Sequence, residues 1–144
     1  MNELGHYLGR VIEITGFLKI SRSFPIVSLD FLENLEVIRG INNKKKFYSL
    51  YLLENENLAK LFPLKNKNGK PVRIYQQKDD GAVEPGQAFI HYNAKLCRSE
   101  IQAMINASGI EPTSSDISFV TNGDKAVCSP HKLAVQLQVR IIFR

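Results

Sequence analysis

A short apolar template with one polar residue occurs three times in the chain of 144 residues, and it limits the possible folds strongly. Each copy has aliphatic residues at positions i, i+2 and i+8 and an asparagine or serine at i+5. The copies are Leu18, Ile20, Ser23 and Ile26; Leu50, Leu52, Asn55 and Leu58; and Ala88, Ile90, Asn93 and Leu96. Residues two apart lie on the same face of a β-strand. The copies are 32 and then 38 residues apart, which predicts a solenoid whose repeats bury their apolar faces against one another.

The polar residue of each copy follows the strand, where a turn is expected. Short side chains such as asparagine and serine can hydrogen-bond turn backbone that would otherwise be buried without a partner. Ser23, Asn55 and Asn93 are therefore predicted to satisfy the turns of successive repeats. The alternative is chance recurrence, because short aliphatic templates are common.

Other segments show weaker patterns. One helical turn is expected within residues 1–10. Alternation predicts strands at Val11–Ile20 (bent at Gly16), at Val72–Gln76 and at Ile117–Val120. The pattern of Ile26–Gly40 favours a second face of the repeat over a long helix. A loop is expected at Lys78–Gly86, a helix at Lys95–Ser108 that Gly109 ends, a tight turn at Thr121–Asp124 and a strand in the tail from Lys132.

Composition excludes several classes of function. The net charge of +5 invites a nucleic-acid hypothesis, but Lys44–Lys46, Lys65, Lys67 and Lys70 lie in Asn/Gly-rich loops without interleaved aromatic residues. Two cysteines and three scattered histidines do not form a metal-binding pattern, so neither a metal nor another cofactor is expected. Paired carboxylates, a nucleophile–base motif and a phosphate-binding loop are all missing from the sequence, so no enzyme is expected.

The sequence has no run of 18 apolar residues, so no membrane insertion by this segment is expected. The first residues, MNELGHYLGRVIEITG, also lack the apolar core of a signal peptide. Taken literally, this start predicts a chain that stays in the cytoplasm.

Three stretches of the chain resemble the second L domain of the insulin and insulin-like growth factor receptors. They are GRVIEITGFLKISRSFPIVSLDFLENLEVIRG, FYSLYLLENENLAKLF, and FIHYNAKLCRSEIQAMINASG followed by DISFVTNGDKAVC. An L domain of the epidermal growth factor receptor is a more distant relative, since it lacks the HYN-x-KLC-x-SEI string. The resemblance covers most of the chain, from about Leu8 to Cys128.

The resemblance implies a mainly β fold with a capping helix, a right-handed β-helix or leucine-rich-repeat-like solenoid. It predicts that residues 1–131 form a receptor L domain that lacks its first layer. In this sense the predicted domain is N-terminally truncated. Residues 132–144 then resemble the start of a following fibronectin type III-like domain. The resemblance also implies an extracellular place in a receptor with a separate intracellular tyrosine kinase, whose motifs do not occur here.

The resemblance also assigns the two cysteines. Cys97 and Cys128 correspond to the disulfide that holds the capping segment of the family. Two free thiols are the alternative if the chain stays in a reducing cytoplasm. Separately, Asn106-Ala107-Ser108 is the one N-x-S/T sequon in the sequence, and it predicts a glycosylation site at Asn106.

A candidate partner face follows from the strand period. If Leu50 and Leu52 point inward, the residues between them and their equivalents point outward, so Lys19, Tyr51 and Phe89 line up across three strands. Phe17, Ser49 and Gln87 are expected on one side of this row, and Ser21, Leu53 and His91 on the other. Exposed aromatic rows are typical of surfaces that bind a partner. The candidate residues are Phe17, Lys19, Tyr51, Phe89 and His91.

The family precedent sets the expected role. The first L domain of insulin-type receptors carries the main hormone-contacting face, whereas the second mostly faces other receptor domains. The resemblance therefore implies a non-catalytic module on the extracellular side of the plasma membrane. Its expected partners are an insulin-like peptide hormone, other receptor ectodomains or a second protomer. The alternatives are a secreted decoy for insulin-like peptides and a truncated scaffold protein with free thiols.

Overall fold

The computed structural model describes residues 2–41, 47–124 and Cys128. These residues form a mainly β fold with one longer helix. In chain order, the elements are α1 (Asn2–Leu8), β1 (Glu13–Ile14), β2 (Leu18–Ser21), a 3₁₀ turn (Asp30–Leu32), β3 (Val37–Ile38), β4 (Leu50–Leu53), β5 (Arg73–Gln77), β6 (Val83–Pro85), β7 (Ala88–His91), α2 (Arg98–Ser108) and β8 (Asp116–Ile117).

The described strands form two sheets. One sheet has the order β2-β4-β7-β8, and every neighbouring pair in it is parallel. The other has the order β1-β3-β5-β6, in which only the last pair, β5 with β6, is antiparallel. Two isolated parallel bridges lie outside these strand pairings: Ser28 pairs with Lys60, and Ile41 pairs with Gln77. Equivalent positions of successive repeats therefore pair at several points along the chain.

The register of the first sheet confirms the strand part of the template. Leu18 pairs with Leu50 and Leu50 with Ala88, while Ile20 pairs with Leu52 and Leu52 with Ile90. These side chains turn toward the core, and Leu50, Leu52, Ala88 and Ile90 are fully buried. Burial of a leucine or isoleucine side chain stabilises the fold by about 1.5–3 kcal/mol, so this alternating column is a large part of the driving force.

Helix α2 covers one end of this core. Its side chains Ile101, Met104 and Ile105 are buried, and their spacing of three and four places them on one face of the helix. The helix ends at Gly109, whose φ of +80° is the left-handed conformation that commonly follows a C-terminal turn. The helix predicted at Lys95–Ser108 therefore exists but begins later, at Arg98.

Buried asparagine side chains connect the turns of the first sheet in a ladder formed by Asn55, Asn93 and Asn122. Asn55 Nδ2 donates to the carbonyl oxygen of Ile20 at 2.8 Å and to Asn93 Oδ1 at 3.0 Å. Asn93 Nδ2 donates in the same way to the carbonyl oxygen of Leu52 at 2.9 Å and to Asn122 Oδ1 at 2.8 Å. The asparagine ladder thus ties each turn to the strand of the repeat before it.

The same side-chain oxygens also accept from the backbone. The N–H of Ser23 donates to Asn55 Oδ1, that of Asn55 to Asn93 Oδ1, and that of Asn93 to Asn122 Oδ1, at 3.0–3.1 Å. These bonds confirm that the polar template residues Asn55 and Asn93 satisfy turn backbone. Among the described residues, every buried side-chain nitrogen and oxygen has a hydrogen-bond partner.

The residue just before each polar template residue, Ser23, Asn55 and Asn93, has an unusual backbone. Arg22, Glu54 and Tyr92 have φ values of 53°, 55° and 58°, in the left-handed region that side chains other than glycine rarely adopt. Such a conformation costs about 1–2 kcal/mol per residue. The same strained turn is therefore repeated, and the ladder bonds that follow it offset its cost.

Several sequence predictions for local structure are wrong. Val11–Ile20 is not one bent strand, because Gly16 separates β1 and β2, which belong to different sheets. Lys78–Gly86 is not only a loop, since β6 pairs with β5 in a hairpin. The strand expected at Ile117–Val120 is restricted to β8, and α1 is longer than the single turn expected. The tail strand from Lys132, and with it the division at residue 132, lies outside the described residues.

We predict that Asn93→Ala lowers the free energy of unfolding by about 3 kcal/mol or more. The substitution leaves buried partners at Asn55, Leu52 and Asn122 without their bonds, and each unsatisfied group costs about 1–3 kcal/mol. Urea unfolding followed by circular dichroism measures the loss. The matched control is Asn68→Ala, because Asn68 is exposed and its side chain makes one bond, to Glu36 at 3.3 Å. Its effect should stay within about 0.5 kcal/mol, and equal losses in both variants would contradict the role of the ladder.

Candidate partner-binding face

The outer side of the sheet β2-β4-β7-β8 carries a row of four side chains in register. Lys19 pairs with Tyr51, Tyr51 with Phe89, and Phe89 with Asp116. The alternation that buries Leu50 and Leu52 places this row on the opposite side of the strands. Lys19 and Asp116 are exposed, while the two rings between them are half-buried. The row is therefore aromatic at its centre and oppositely charged at its ends.

Further rings pack around this row. Ring centroids lie 5.7 Å apart for Phe17 and Tyr51, 6.2 Å for Tyr51 and Phe89, and 4.5 Å for Phe89 and His91. Tyr48 contacts both Tyr51 and Phe89, at 5.5 and 5.6 Å. Aromatic pairs at such distances contribute about 0.5–1.5 kcal/mol beyond their burial. We call Phe17, Tyr48, Tyr51, Phe89 and His91 the aromatic face.

Polar contacts hold the edges of the aromatic face. Lys19 Nζ lies 5.7 Å from the centre of the Tyr51 ring, within the range of a cation–π contact. His91 Nε2 lies 2.7 Å from Asp116 Oδ1, and Tyr51 Oη accepts a bond from the backbone N–H of Tyr48 at 3.2 Å. These contacts restrict the rotamers of His91 and Tyr51, so both rings are held in place before any partner arrives.

The structure brings all five predicted face residues together, from Phe17 and Lys19 on or beside β2 to Phe89 and His91 on β7. Ser49 is an exception among the flanking residues, because it is fully buried and its hydroxyl donates to the carbonyl oxygen of Tyr75 at 2.6 Å. The prediction that Ser49 faces outward is therefore wrong. The strand β4 begins only at Leu50, so the alternation does not extend back to Ser49.

Sequence reasoning missed two members of this surface, Tyr48 and Asp116. Tyr48 precedes β4 and falls on the wrong parity for an outward position, which is why the strand period did not select it. Asp116 pairs with Phe89 through β8, a strand of two residues that carries no alternation of its own. The only available signal for Asp116 was its place directly before Ile117, the residue that continues the aliphatic column.

The remaining predicted site residues lie near α2. Cys97 and Cys128 form a disulfide with a Cα–Cα distance of 5.5 Å and a sequence separation of 31 residues. Gly123 lies against this bond with a φ of +68°, and a Cβ there would be 2.9 Å from Cys128 Sγ. Only glycine suits that position. Asn106 is exposed in the last turns of α2, apart from the aromatic face.

The part of the chain that the structure describes contains neither a candidate metal centre nor a candidate membrane span. Among residues 2–41, 47–124 and Cys128, no group of three or more His, Cys, Asp and Glu side chains could hold a metal ion. In the same part of the chain, every helix is too short or too polar to cross a lipid bilayer.

Comparison with known proteins decides the family. The model of the receptor L domain family matches residues 2–108, which is most of the chain. The chain belongs to the receptor L domain family. The predicted receptor L domain is thereby confirmed, while the assignment to the second L domain stays a prediction.

Curated relatives agree with this assignment. The chain is 37% identical over 139 residues to the insulin-like peptide receptor of Branchiostoma lanceolatum, and the match covers 94% of this chain and 9% of that receptor. It is 35% identical over 133 residues to the insulin receptor of Xenopus laevis and 37% identical over 134 residues to the insulin receptor-related protein of Homo sapiens. In both cases, the match covers 91% of this chain and 9% of the relative. The chain therefore spans about one tenth of the length of these relatives.

We predict that reduction of the Cys97–Cys128 bond lowers the free energy of unfolding by about 3–4 kcal/mol. Opening a loop of this length increases the conformational entropy of the unfolded chain, and this stabilises the unfolded state by that amount. Urea unfolding with and without a phosphine reductant measures the difference. The Cys97→Ala/Cys128→Ala variant is the control, since the reductant should leave its midpoint unchanged. Coincident curves for oxidised and reduced wild-type protein would contradict the stabilising role.

Proposed function

We propose that the chain is a non-catalytic extracellular module of an insulin-receptor-like receptor, and that its aromatic face contacts a protein partner. The observation that carries this proposal is the row Lys19–Tyr51–Phe89–Asp116 with its packed rings, on a domain of the receptor L domain family. The family match supports membership in a receptor, and the geometry of the face supports a contact.

The parallel pairings support a stacked solenoid as the architecture, and we propose that it is the right-handed β-helix or leucine-rich-repeat-like solenoid that the resemblance implies. Pairs with a sequence separation of 32 residues occur both within the first sheet, from Leu18 to Leu50, and outside it, from Ser28 to Lys60. The second sheet adds the parallel pair of Val37 with Arg73, and an isolated parallel bridge joins Ile41 to Gln77. Stacking at this many points is what successive coils of a solenoid produce. In this proposal residues 1–131 form the L domain, and 132–144 begin a fibronectin type III-like domain.

The disulfide supports an extracellular location. Disulfides persist in oxidising compartments and are rare in the reducing cytoplasm. A cytoplasmic scaffold would need Cys97 and Cys128 as free thiols, whereas the structure joins them. The extracellular module is therefore favoured over a cytoplasmic scaffold with free thiols.

The chemistry of the face favours a protein partner over a small molecule. Aromatic side chains dominate the binding energy of many protein interfaces, because they bury a large area at a small cost in conformational entropy. The rings here are preorganised by their mutual packing, which reduces the cost of binding further. We propose that the partner of this face is an insulin-like peptide, another receptor ectodomain or a second protomer. The main role of the domain is then architectural.

We predict that Tyr51→Ala and Phe89→Ala weaken partner binding at least tenfold, since losing a central aromatic residue of an interface commonly costs about 2 kcal/mol or more. Both variants should still unfold cooperatively, because their side chains lie on the side of the sheet opposite the core. Binding of each variant to insulin is measured on a biosensor surface. Self-association of each variant is measured by analytical ultracentrifugation.

Tyr7→Ala is the matched control for this prediction. Tyr7 is an aromatic residue on α1 that is 75% exposed and lies outside the aromatic face, so its loss should leave binding unchanged. Equal binding by all variants would contradict the assignment of the face. A chain that binds neither insulin nor a second copy would contradict the proposed contact with either of those partners.

A further inference from the structure

The row Lys19–Tyr51–Phe89–Asp116 carries opposite charges at its two ends. Lys19 lies on the first strand of the sheet and Asp116 on the last, with Tyr51 and Phe89 between them. Both charged residues are exposed, and 53% of the Asp116 side chain is open to solvent. Neighbouring strands are about 4.8 Å apart, so about 14 Å separates the strands that carry the two charges. Turning the row end for end therefore exchanges the charges and keeps aromatic residues at the centre.

Each end charge has capacity for a second partner. Lys19 Nζ lies 5.7 Å from the centre of the Tyr51 ring, and Asp116 Oδ1 lies 2.7 Å from His91 Nε2. An ammonium group has three N–H donors, and a carboxylate has two oxygens with about four acceptor sites, so one contact does not exhaust either group. Just beyond β2 and β4, Arg22 and Glu54 form an ion pair at 3.1 Å, so that pair adds no net charge beside the row.

The charges of the row fit a second copy of the same row. Two copies that meet through the same surface are related by a two-fold axis, which for two sheets packed face to face lies in the plane between them. An axis parallel to the strands, between β4 and β7, places Lys19 opposite Asp116 of the second copy and Tyr51 opposite its Phe89. An axis perpendicular to the strands instead places Lys19 opposite Lys19 and Asp116 opposite Asp116. The charges therefore attract in the first orientation and repel in the second.

We propose that the aromatic face binds a second copy of this chain through a two-fold axis that runs parallel to the strands, between β4 and β7. This inference rests on the proposed function and names a second protomer as the partner of the face. Two Lys19–Asp116 pairs form at the ends of the interface, and the rings of Tyr51 and Phe89 pack between them. Aromatic residues at the centre and charged residues at the rim are the usual distribution in protein interfaces.

The size of the face determines the strength of this contact. The row spans only about 14 Å across the strands, whereas a stable interface buries about 800 Å² on each partner. We therefore expect weak association of the isolated chain, which is measurable at high protein concentration. Two copies tethered in one assembly meet at an effective concentration that reaches about the millimolar range, so a weak contact is sufficient there.

The first test is self-association of the full oxidised chain, measured by analytical ultracentrifugation over a series of protein concentrations. Lys19→Asp and Asp116→Lys should each raise the Kd of the dimer at least about tenfold, because each change introduces two like-charged pairs. An equimolar mixture of the two variants should associate with a Kd within about threefold of the wild-type value, since each supplies the charge that the other lacks. The double variant Lys19→Asp/Asp116→Lys should recover in the same way.

Lys65→Asp and Asp79→Lys are the matched controls. They make the same changes of charge at exposed positions outside the face, so the Kd should stay within about twofold of the wild-type value. Circular dichroism of every variant checks that the fold is kept. Recovery in the mixture gives a second check, because a misfolded variant could not restore association.

Cysteine crosslinking tests the direction of the axis. In the proposed orientation position 19 of one copy faces position 116 of the other, so a mixture of Lys19→Cys and Asp116→Cys chains should form crosslinked dimers on oxidation. The two positions 19 are then about 14 Å apart, beyond the Cα–Cα limit of about 7 Å for a disulfide. Lys19→Cys alone should therefore stay uncrosslinked.

The outcomes separate this inference from the proposed function. A chain that stays monomeric but binds insulin through Tyr51 and Phe89 overturns the second copy as the partner and leaves the proposed function intact. A dimer whose Kd is unchanged by Lys19→Asp and Asp116→Lys, or a crosslink formed by Lys19→Cys alone, overturns the proposed axis. A chain that binds neither a second copy nor insulin overturns this inference together with the proposed contact with those two partners.

Discussion

The hydrogen bonds among Asn55, Asn93 and Asn122 hold successive repeats in one register. The strands they connect have only two to four residues, so strand pairing alone supplies few bonds per repeat. In each turn the asparagine at the ladder position is buried although its neighbours are exposed or half-buried, and the backbone groups on its inner side need partners within the protein. The asparagine side chain provides them from inside the chain, as donor to the previous strand and as acceptor from the previous turn. A slip of one residue would remove these bonds and turn the aliphatic column outward.

The aromatic face depends on the same register. Lys19, Tyr51, Phe89 and Asp116 stand in one row only because their strands are aligned residue for residue. Their contact distances follow from the spacing of neighbouring strands, about 4.8 Å, which brings rings on adjacent strands within stacking range. The proposed binding surface is thus a by-product of packing on the other side of the sheet. Fold and face rest on the same few buried side chains.

Much of this arrangement could be predicted from the sequence. The period of two at Leu50 and Leu52, with Asn55 three residues later, identified the strand, its inward side and the turn. The two-residue period of a β-strand also predicted that the side chains of Tyr51 and Phe89 point away from the core. The rows were predictable because one template recurs with the same internal spacing, and identical spacing in stacked repeats implies alignment.

The parts that could not be predicted fall where this spacing changes. Asn122 is a member of the ladder, but it follows its strand residue Ile117 by five positions, whereas Asn93 follows Ile90 by three. Asn66 is likewise hidden. It donates to the carbonyl oxygen of Leu35 at 3.0 Å on another part of the repeat, without a recurring aliphatic pair beside it. Ser49 and Tyr48 depend on where β4 begins, which local propensity does not determine.

The left-handed turn before Ser23, Asn55 and Asn93 shows how this scaffold can vary. From the first strand residue to the residue at that turn, the chain advances by four positions in all three repeats: Leu18 to Arg22, Leu50 to Glu54 and Ala88 to Tyr92. The connections elsewhere differ, with 19 residues from Leu18 to Val37 but 23 from Leu50 to Arg73. Extra residues are thus placed in the connections between these segments. Within each segment, the strand, the left-handed turn and the polar residue after it keep a fixed spacing. Domains of this kind can therefore gain or lose residues in these connections while the arrangement of the aromatic face is kept.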